Sequence, residues 1–247
     1  ILLFPTLRFF VCDLFVNVRA YAGWMFFGVG YHSKNDRQLD SMELNVGMVG
    51  PASLAQETQD FTHDLRGFEK FQGWDNQLSN ELGLVAIYEH KDKFLRETYR
   101  GGFGYDDITH FGASVGTVAT YLNSGFEVRS GWNIPADFGT AAVRPGGDNS
   151  APGSPWDTRL SGKKRVGFHL FASMDARWVL RNIFLDGNTF TDSHSVDKEP
   201  LVADAAVGCS FSYGRLKLSY AKIHRTREFK LQPHSHSYGS LSVSMTF

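Results

Sequence analysis

Apolar and polar residues alternate with a period of two along most of the chain, the pattern of strands whose two faces meet different surroundings. Met42, Leu44, Val46 and Met48 alternate with Glu43, Asn45 and Gly47, and Phe126, Val128 and Trp132 share a face opposed by Glu127 and Arg129. Val166, Phe168, Leu170, Ala172 and Met174 oppose Gly167, His169 and Ser173. Val207, Cys209, Phe211 and Tyr213 oppose Gly208, Ser210 and Ser212, and the pattern resumes at Leu216, Leu218 and Tyr220 after a Gly214-Arg215 turn. The periodicity predicts about nine or ten strands, near 22–32, 40–50, 80–90, 100–118, 119–133, 165–185 (one strand or two), 199–213, 215–229 and 235–247. Residues 134–162, rich in Pro, Gly, Asp and Ser, read as a long surface loop.

Alternation alone does not say which face looks inward. A soluble barrel or sandwich buries the apolar face, whereas a membrane barrel turns it to lipid and lines its interior with the polar one. Three features favour lipid: charged pairs such as Glu127 and Arg129 on the polar faces, strands of about ten residues as a tilted span requires, and Trp24, Trp132, Trp178, Tyr213 and Tyr220 near strand ends, as in an interfacial girdle. The C-terminal run, in which Leu241, Val243, Met245 and Phe247 alternate with Ser and Thr, is similar to the closing strand of bacterial outer-membrane barrels.

Composition agrees with an all-β protein. The 247 residues include 25 Gly and 21 Phe and are 42% hydrophobic, too apolar for a disordered chain. A net charge of -1 leaves no excess of cations for phosphates, so a nucleic-acid binder is not expected. Two cysteines, Cys12 and Cys209, make neither a disulfide framework nor a four-ligand zinc site. Pro5, Arg8 and Asp13 interrupt the apolar start, so residues 1–18 do not read as a spanning helix. Ala20-Tyr21-Ala22 mimics a signal-peptidase site, but no basic region precedes it.

The segment from Gly50 to Gly67 breaks the strand rhythm and reads as a helix. Ser53 is expected to cap its start with Gln56 as capping-box partner, and Gly67 to end it. Leu54, Phe61 and Leu65 lie on one side; Gln59 and His63, spaced i and i+4, lie together on nearly the opposite side. A solvated helix face carries such a pair equally well. The functional reading makes His63 a general base that deprotonates water, with Gln59 orienting it or donating to an oxyanion. Glu69 would then hold the imidazole tautomer or bind a cation, and Gly73-Trp74-Asp75-Asn76-Gln77-Leu78 reads as a polar turn.

At these residues the chain resembles the outer-membrane lipid A 3-O-deacylase family. The resemblance rests on Arg19-Ala20-Tyr21-Ala22-Gly23-Trp24, on Val49-Gly50-Pro51-Ala52 with Gln59 and His63, and on Gly73-Trp74-Asp75-Asn76-Gln77-Leu78. Asp186-Gly187-Asn188-Thr189-Phe190, Asp192-Ser193-His194-Ser195-Val196-Asp197-Lys198 and Arg225-Thr226-Arg227-Glu228-Phe229 extend it over residues 19–247. It implies a transmembrane antiparallel β-barrel with a short helical insertion, in the outer membrane of a Gram-negative bacterium. It also implies a calcium-using hydrolase that removes the ester-linked 3'-acyloxyacyl group of lipid A, with lipopolysaccharide and outer-membrane lipids as partners and a monomer as the unit. By the resemblance His63 matches the catalytic histidine, Gln59 an active-site glutamine and Glu69 a nearby glutamate. The family's first strands, with an Asn-Asp pair and a lysine, have no match before Val18. About three strands are therefore expected to lack counterparts, the chain divides into a divergent segment (1–18) and a barrel domain (19–247), and Asp13 and Asn17 receive no role.

Two other classes stay open on the sequence: a non-catalytic or degenerate outer-membrane barrel, porin-like or structural, and a soluble β-sandwich. Of the remaining polar clusters, His234 and His236 suit a hairpin tip better than a metal site. His194 between Asp192 and Asp197 fits a loop contact to lipid A sugars or phosphates, and Lys163, Lys164 and Arg165 fit phosphate-attracting charges. Gly28-x-Gly30 and Gly101-Gly102 lack the following helix that a phosphate cradle needs.

Overall fold

The computed structural model describes residues 2–3, 19–99, 101–140, 152, 157, 159, 160 and 165–246. Ten strands run in chain order: β1 (Leu2–Leu3), β2 (Gly23–Lys34), β3 (Gln38–Val49), β4 (Glu81–Thr98), β5 (Phe103–Gly116), β6 (Ala119–Trp132), β7 (Val166–Asn182), β8 (Leu201–Tyr213), β9 (Leu216–Arg225) and β10 (His236–Met245). Each pairs antiparallel with the next, so sequence order and sheet order coincide. Two helices interrupt the meander, α1 (Ala55–Arg66) and the single turn α2 (Ile183–Asp186). Residues 165–185 hold one strand, not two, and β4 runs well past His90.

The alternating residues settle which face looks in. Asn45, Arg129, His169 and Lys217 are at most 2% exposed, whereas Phe27, Leu170, Val207 and Leu241 are at least 57% exposed. The apolar side therefore covers the outside of the curled sheet, and the polar side lines its concave interior. A soluble sandwich would do the reverse, because exposing this much apolar surface to water is strongly unfavourable. Trp132, Trp178, Tyr213 and Tyr220 join the outer surface, as the girdle reading expects, although Tyr220 stands mid-strand in β9 and not near its end. Trp24 does not: it points inward, packed with Val85, Val118 and Ile183 in an apolar cluster that fills one end of the lumen.

The opposite end is filled by a segment expected on the surface. Ala136, Asp137, Phe138, Asp157 and Arg159, within the stretch 134–162, are buried. The reason is electrostatic, since strand residues facing the lumen offer cations that need partners. Asp137 takes Arg129 through Oδ1, while its Oδ2 lies 2.7 Å from Lys217 Nζ and 3.3 Å from Arg159. Lys93 Nζ donates to the Asp137 carbonyl at 2.6 Å, and the Thr140 amide donates to Glu127 at 2.8 Å. Arg129 is further held by Asp106 through two 2.6 Å hydrogen bonds. Between this plug and the apolar cluster lies a cavity of about 160 Å³ lined by His110, Asn123, Glu127, Asp175, Arg177 and Arg225, among others.

Candidate active site at the rim

Local chain chemistry sets α1 in place. Pro51 opens a 3₁₀ turn over Pro51–Ser53, and Leu54 takes a left-handed conformation (φ 55°) that ends the turn and starts the helix. Ser53 therefore does not cap α1; its hydroxyl is buried and makes no hydrogen bond among the described residues. Gly67 does end it as expected, at φ 66°, with its amide on Asp64 O and the Phe68 amide on His63 O at 2.9 Å. The reversal brings the backbone of Glu69 beneath the helix. There the Glu69 carbonyl lies 2.6 Å from His63 Nδ1.

A carbonyl only accepts, so His63 donates through Nδ1, and Nε2 is left as the proton-accepting nitrogen of the neutral ring. The contact is made by the Glu69 backbone and not by its side chain, and the residue itself is exposed. The imidazole is steadied by edge-on contacts with Phe71, 4.6 Å between ring centres, and Phe68, at 5.9 Å.

The helix sits against the outer wall of the sheet. On β2 Trp24 points inward and Met25 and Phe27 outward, so Gly23 faces outward too. A Cβ placed there would lie 2.1 Å from Ala55 Cβ and 2.5 Å from Ser53 Oγ, which means that only glycine lets α1 approach so closely. Ala55 packs with Tyr21, Trp74 and Phe71, and the rings of Tyr21 and Trp74 are 5.1 Å apart. Gln59, one turn on from Ala55, is buried by this contact, and His63 is half-buried.

The Gln59–His63 side therefore faces the segment that returns beneath the helix, not open solvent, and Leu54, Phe61 and Leu65 are the exposed side. Among the described residues, Tyr21 Oη, Ser53 Oγ, Gln59 Oε1, Trp74 Nε1 and Gln77 Oε1 are buried without hydrogen-bond partners. Five such atoms lie in the segments that meet under one short helix, where buried polar groups ordinarily have partners. Tyr21, Phe71 and Trp74 were not among the expected site residues. The signal was there: the first lies in Arg19–Trp24 and the last in Gly73–Leu78, both stretches that carry the family resemblance.

Other candidates fall elsewhere. Arg165 precedes β7 at the end opposite α1, and Lys163, Lys164, Asp13 and Asn17 lie outside the described residues. His194 lies in the β7–β8 connection and His234 in the β9–β10 connection, at the α1 end. Among the described residues no three His, Cys, Asp or Glu side chains converge as metal ligands.

An antiparallel sheet with an apolar outer wall, a polar plugged interior and a histidine-bearing helix against the outside of its rim defines the class of outer-membrane β-barrels. A family model described as outer membrane protein LpxR matches residues 12–247, and the chain belongs to that family, outer-membrane proteins that deacylate lipid A. Among solved structures, LpxR from Salmonella typhimurium superposes with a TM-score of 0.81 at 20% identity, covering 99% of this chain and 80% of that one; the likeness is one of fold. No curated protein matches.

Proposed function

We propose that this chain hydrolyses the ester linking the 3'-acyloxyacyl group to lipid A. The reading is supported above all by His63, which donates to the Glu69 carbonyl from a helix whose start rests on the outside of the barrel. Nε2 takes a proton from water as the water oxygen attacks the ester carbonyl, and the imidazolium returns a proton to the departing sugar oxygen. Gln59, one turn away on the same face, orients the water or donates its amide to the oxyanion. Because α1 starts against the outer wall, the acyl chains stay in hydrocarbon while the ester reaches the polar face of α1.

The family resemblance implies calcium, whose chemistry would be to polarise the ester carbonyl. Calcium favours carboxylate-rich sets of oxygen donors, and among the described residues no three Asp, Glu, His or Cys side chains converge, so no step is drawn through it. The porin-like reading finds no support in a lumen filled by Asp137, Phe138 and the Trp24 cluster.

The test is expression, with calcium supplied, in a Gram-negative host with fully acylated lipid A. Lipid A mass spectra are compared with those from a His63→Ala variant whose folding is checked by heat-modifiable gel migration. Loss of one acyloxyacyl pair with the parent chain only is the expected result. Fully acylated lipid A from both strains would contradict the proposal.

A further inference from the structure

We propose that α1 is an interfacial helix whose exposed stripe, Leu54, Phe61, Leu65 and the following Phe68, is seated in the hydrocarbon edge of the outer leaflet. The inference rests on the placement of the barrel wall, not on the chemistry proposed for His63.

Three faces of one short helix carry it. Ala55 meets the wall at Gly23, and Gln59 and His63 follow on the same side of the helix, Gln59 buried and His63 against Phe71. Leu54, Phe61 and Leu65, spaced i, i+7 and i+11, form a stripe that is 49, 68 and 76% exposed. Glu57, Asp60 and Asp64, spaced i, i+3 and i+7, form a separate acidic arc, with Asp64 paired to Lys70 at 2.9 Å. A helix packed on a soluble core would turn Leu54, Phe61 and Leu65 inward. Here the polar face took that place, so the apolar stripe needs another apolar neighbour.

The wall supplies the neighbour's identity. Met25, Met48 and Leu82 stand side by side across β2, β3 and β4, with Met25 and Leu82 exposed on the outer surface. This apolar row lies two residues along β2 from Gly23, on which α1 rests, or roughly 7 Å. The start of α1 thus rests beside an outward apolar row of the wall, and the wall's exterior is membrane. A helix in that position lies along the interface, its apolar stripe in the acyl region and its acidic arc in water. The stripe would also hold open a lateral entrance beside His63 for a chain still anchored in the leaflet.

The experiment places a Phe61→Trp variant in the His63→Ala background, so that the readout is independent of turnover. It is reconstituted in phosphatidylcholine vesicles with or without bromine on the upper acyl carbons. The emission added relative to the His63→Ala parent is expected to be blue-shifted and mostly lost in brominated vesicles. A Glu57→Trp variant on the acidic arc is expected to emit at longer wavelength and to keep its intensity. The proposal is overturned if Phe61→Trp is unquenched, if both positions are quenched alike, or if cross-linking shows that a second copy of the chain covers the stripe. Quenching as expected with unchanged lipid A in cells would leave the helix placement standing and remove only the hydrolase reading.

Discussion

Asp137→Asn takes the charge from the carboxylate on which Arg129, Lys217 and Arg159 converge inside the barrel. Asparagine fits the space, but its amide would face hydrogen-bond donors where Oδ2 now accepts from Lys217. Each cation keeps at least one other acceptor: Arg129 has Asp106 and the Pro135 and Asp137 carbonyls, Lys217 has the Gly139 carbonyl at 3.2 Å, and Arg159 has Asp157. None of them gains a substitute for the lost charge, so the interior holds one more uncompensated cation. Removing one member of a buried ion pair destabilises by about 3–5 kcal/mol. The measurement is urea unfolding of the refolded barrel, followed by tryptophan emission. Asp137→Asn is expected to lower the unfolding free energy by that amount, and adding Lys217→Met, which removes one of the unpaired cations, to recover much of it. In planar bilayers the single variant is also expected to show conductance steps absent from the parent. A variant as stable as the parent to within about 0.5 kcal/mol, and equally silent, would refute the view that this network holds the plug.

The same carboxylate has a pH signature. Burial alone would raise it, but Lys217, Arg129 and Arg159 hold Asp137 well below the usual carboxylate range. A depressed acid contributes stability above its unfolded value, about 4, and loses it only as pH falls below that. The difference in unfolding free energy between parent and Asp137→Asn should be constant from neutrality to about pH 5 and shrink only below about pH 4. Gly23→Ala puts a methyl where Ala55 already lies and should lift α1 from the wall; deacylation in the lipid A assay is expected to fall sharply while heat-modifiable migration stays normal. Leu44→Arg, on the outer face near mid-strand, should destabilise the barrel in vesicles by about 2–4 kcal/mol; an unchanged urea midpoint would contradict the lipid-facing assignment.

Strand positions were legible because each face of the sheet meets a uniform medium, so alternation survives in the sequence from Met42 to Met245. The direction of the faces was less so: Phe126 beside Glu127 reads alike in a sandwich and a barrel until the charged side is seen to have partners across a lumen. The plug was hidden for a related reason. Polar, glycine-rich residues 134–162 carry the composition of a surface loop, and only the inward-facing Arg129 on the preceding strand and Lys217, 80 residues away, explain why Asp137 is inside. At α1, the terminator Gly67 was readable because its φ of 66° demands glycine, whereas the Ser53 cap was not realised because Pro51 imposes a tighter turn first. Trp24 was assigned to the girdle by its place at a strand end, yet its neighbour Gly23 is what faces out, because α1 needs that surface. The pair Gln59 and His63 was found by spacing, but spacing does not tell a covered side from water.

Hydrolysis by the purified protein in ¹⁸O-labelled water, with lipid A as substrate and calcium present, tests the central claim most directly. Attack of a water molecule deprotonated by His63 places one ¹⁸O atom in the carboxyl group of the released acyl chain and none on the sugar, and His63→Gln releases none of that product. Label on the sugar hydroxyl, or equal release by His63→Gln, would contradict the account.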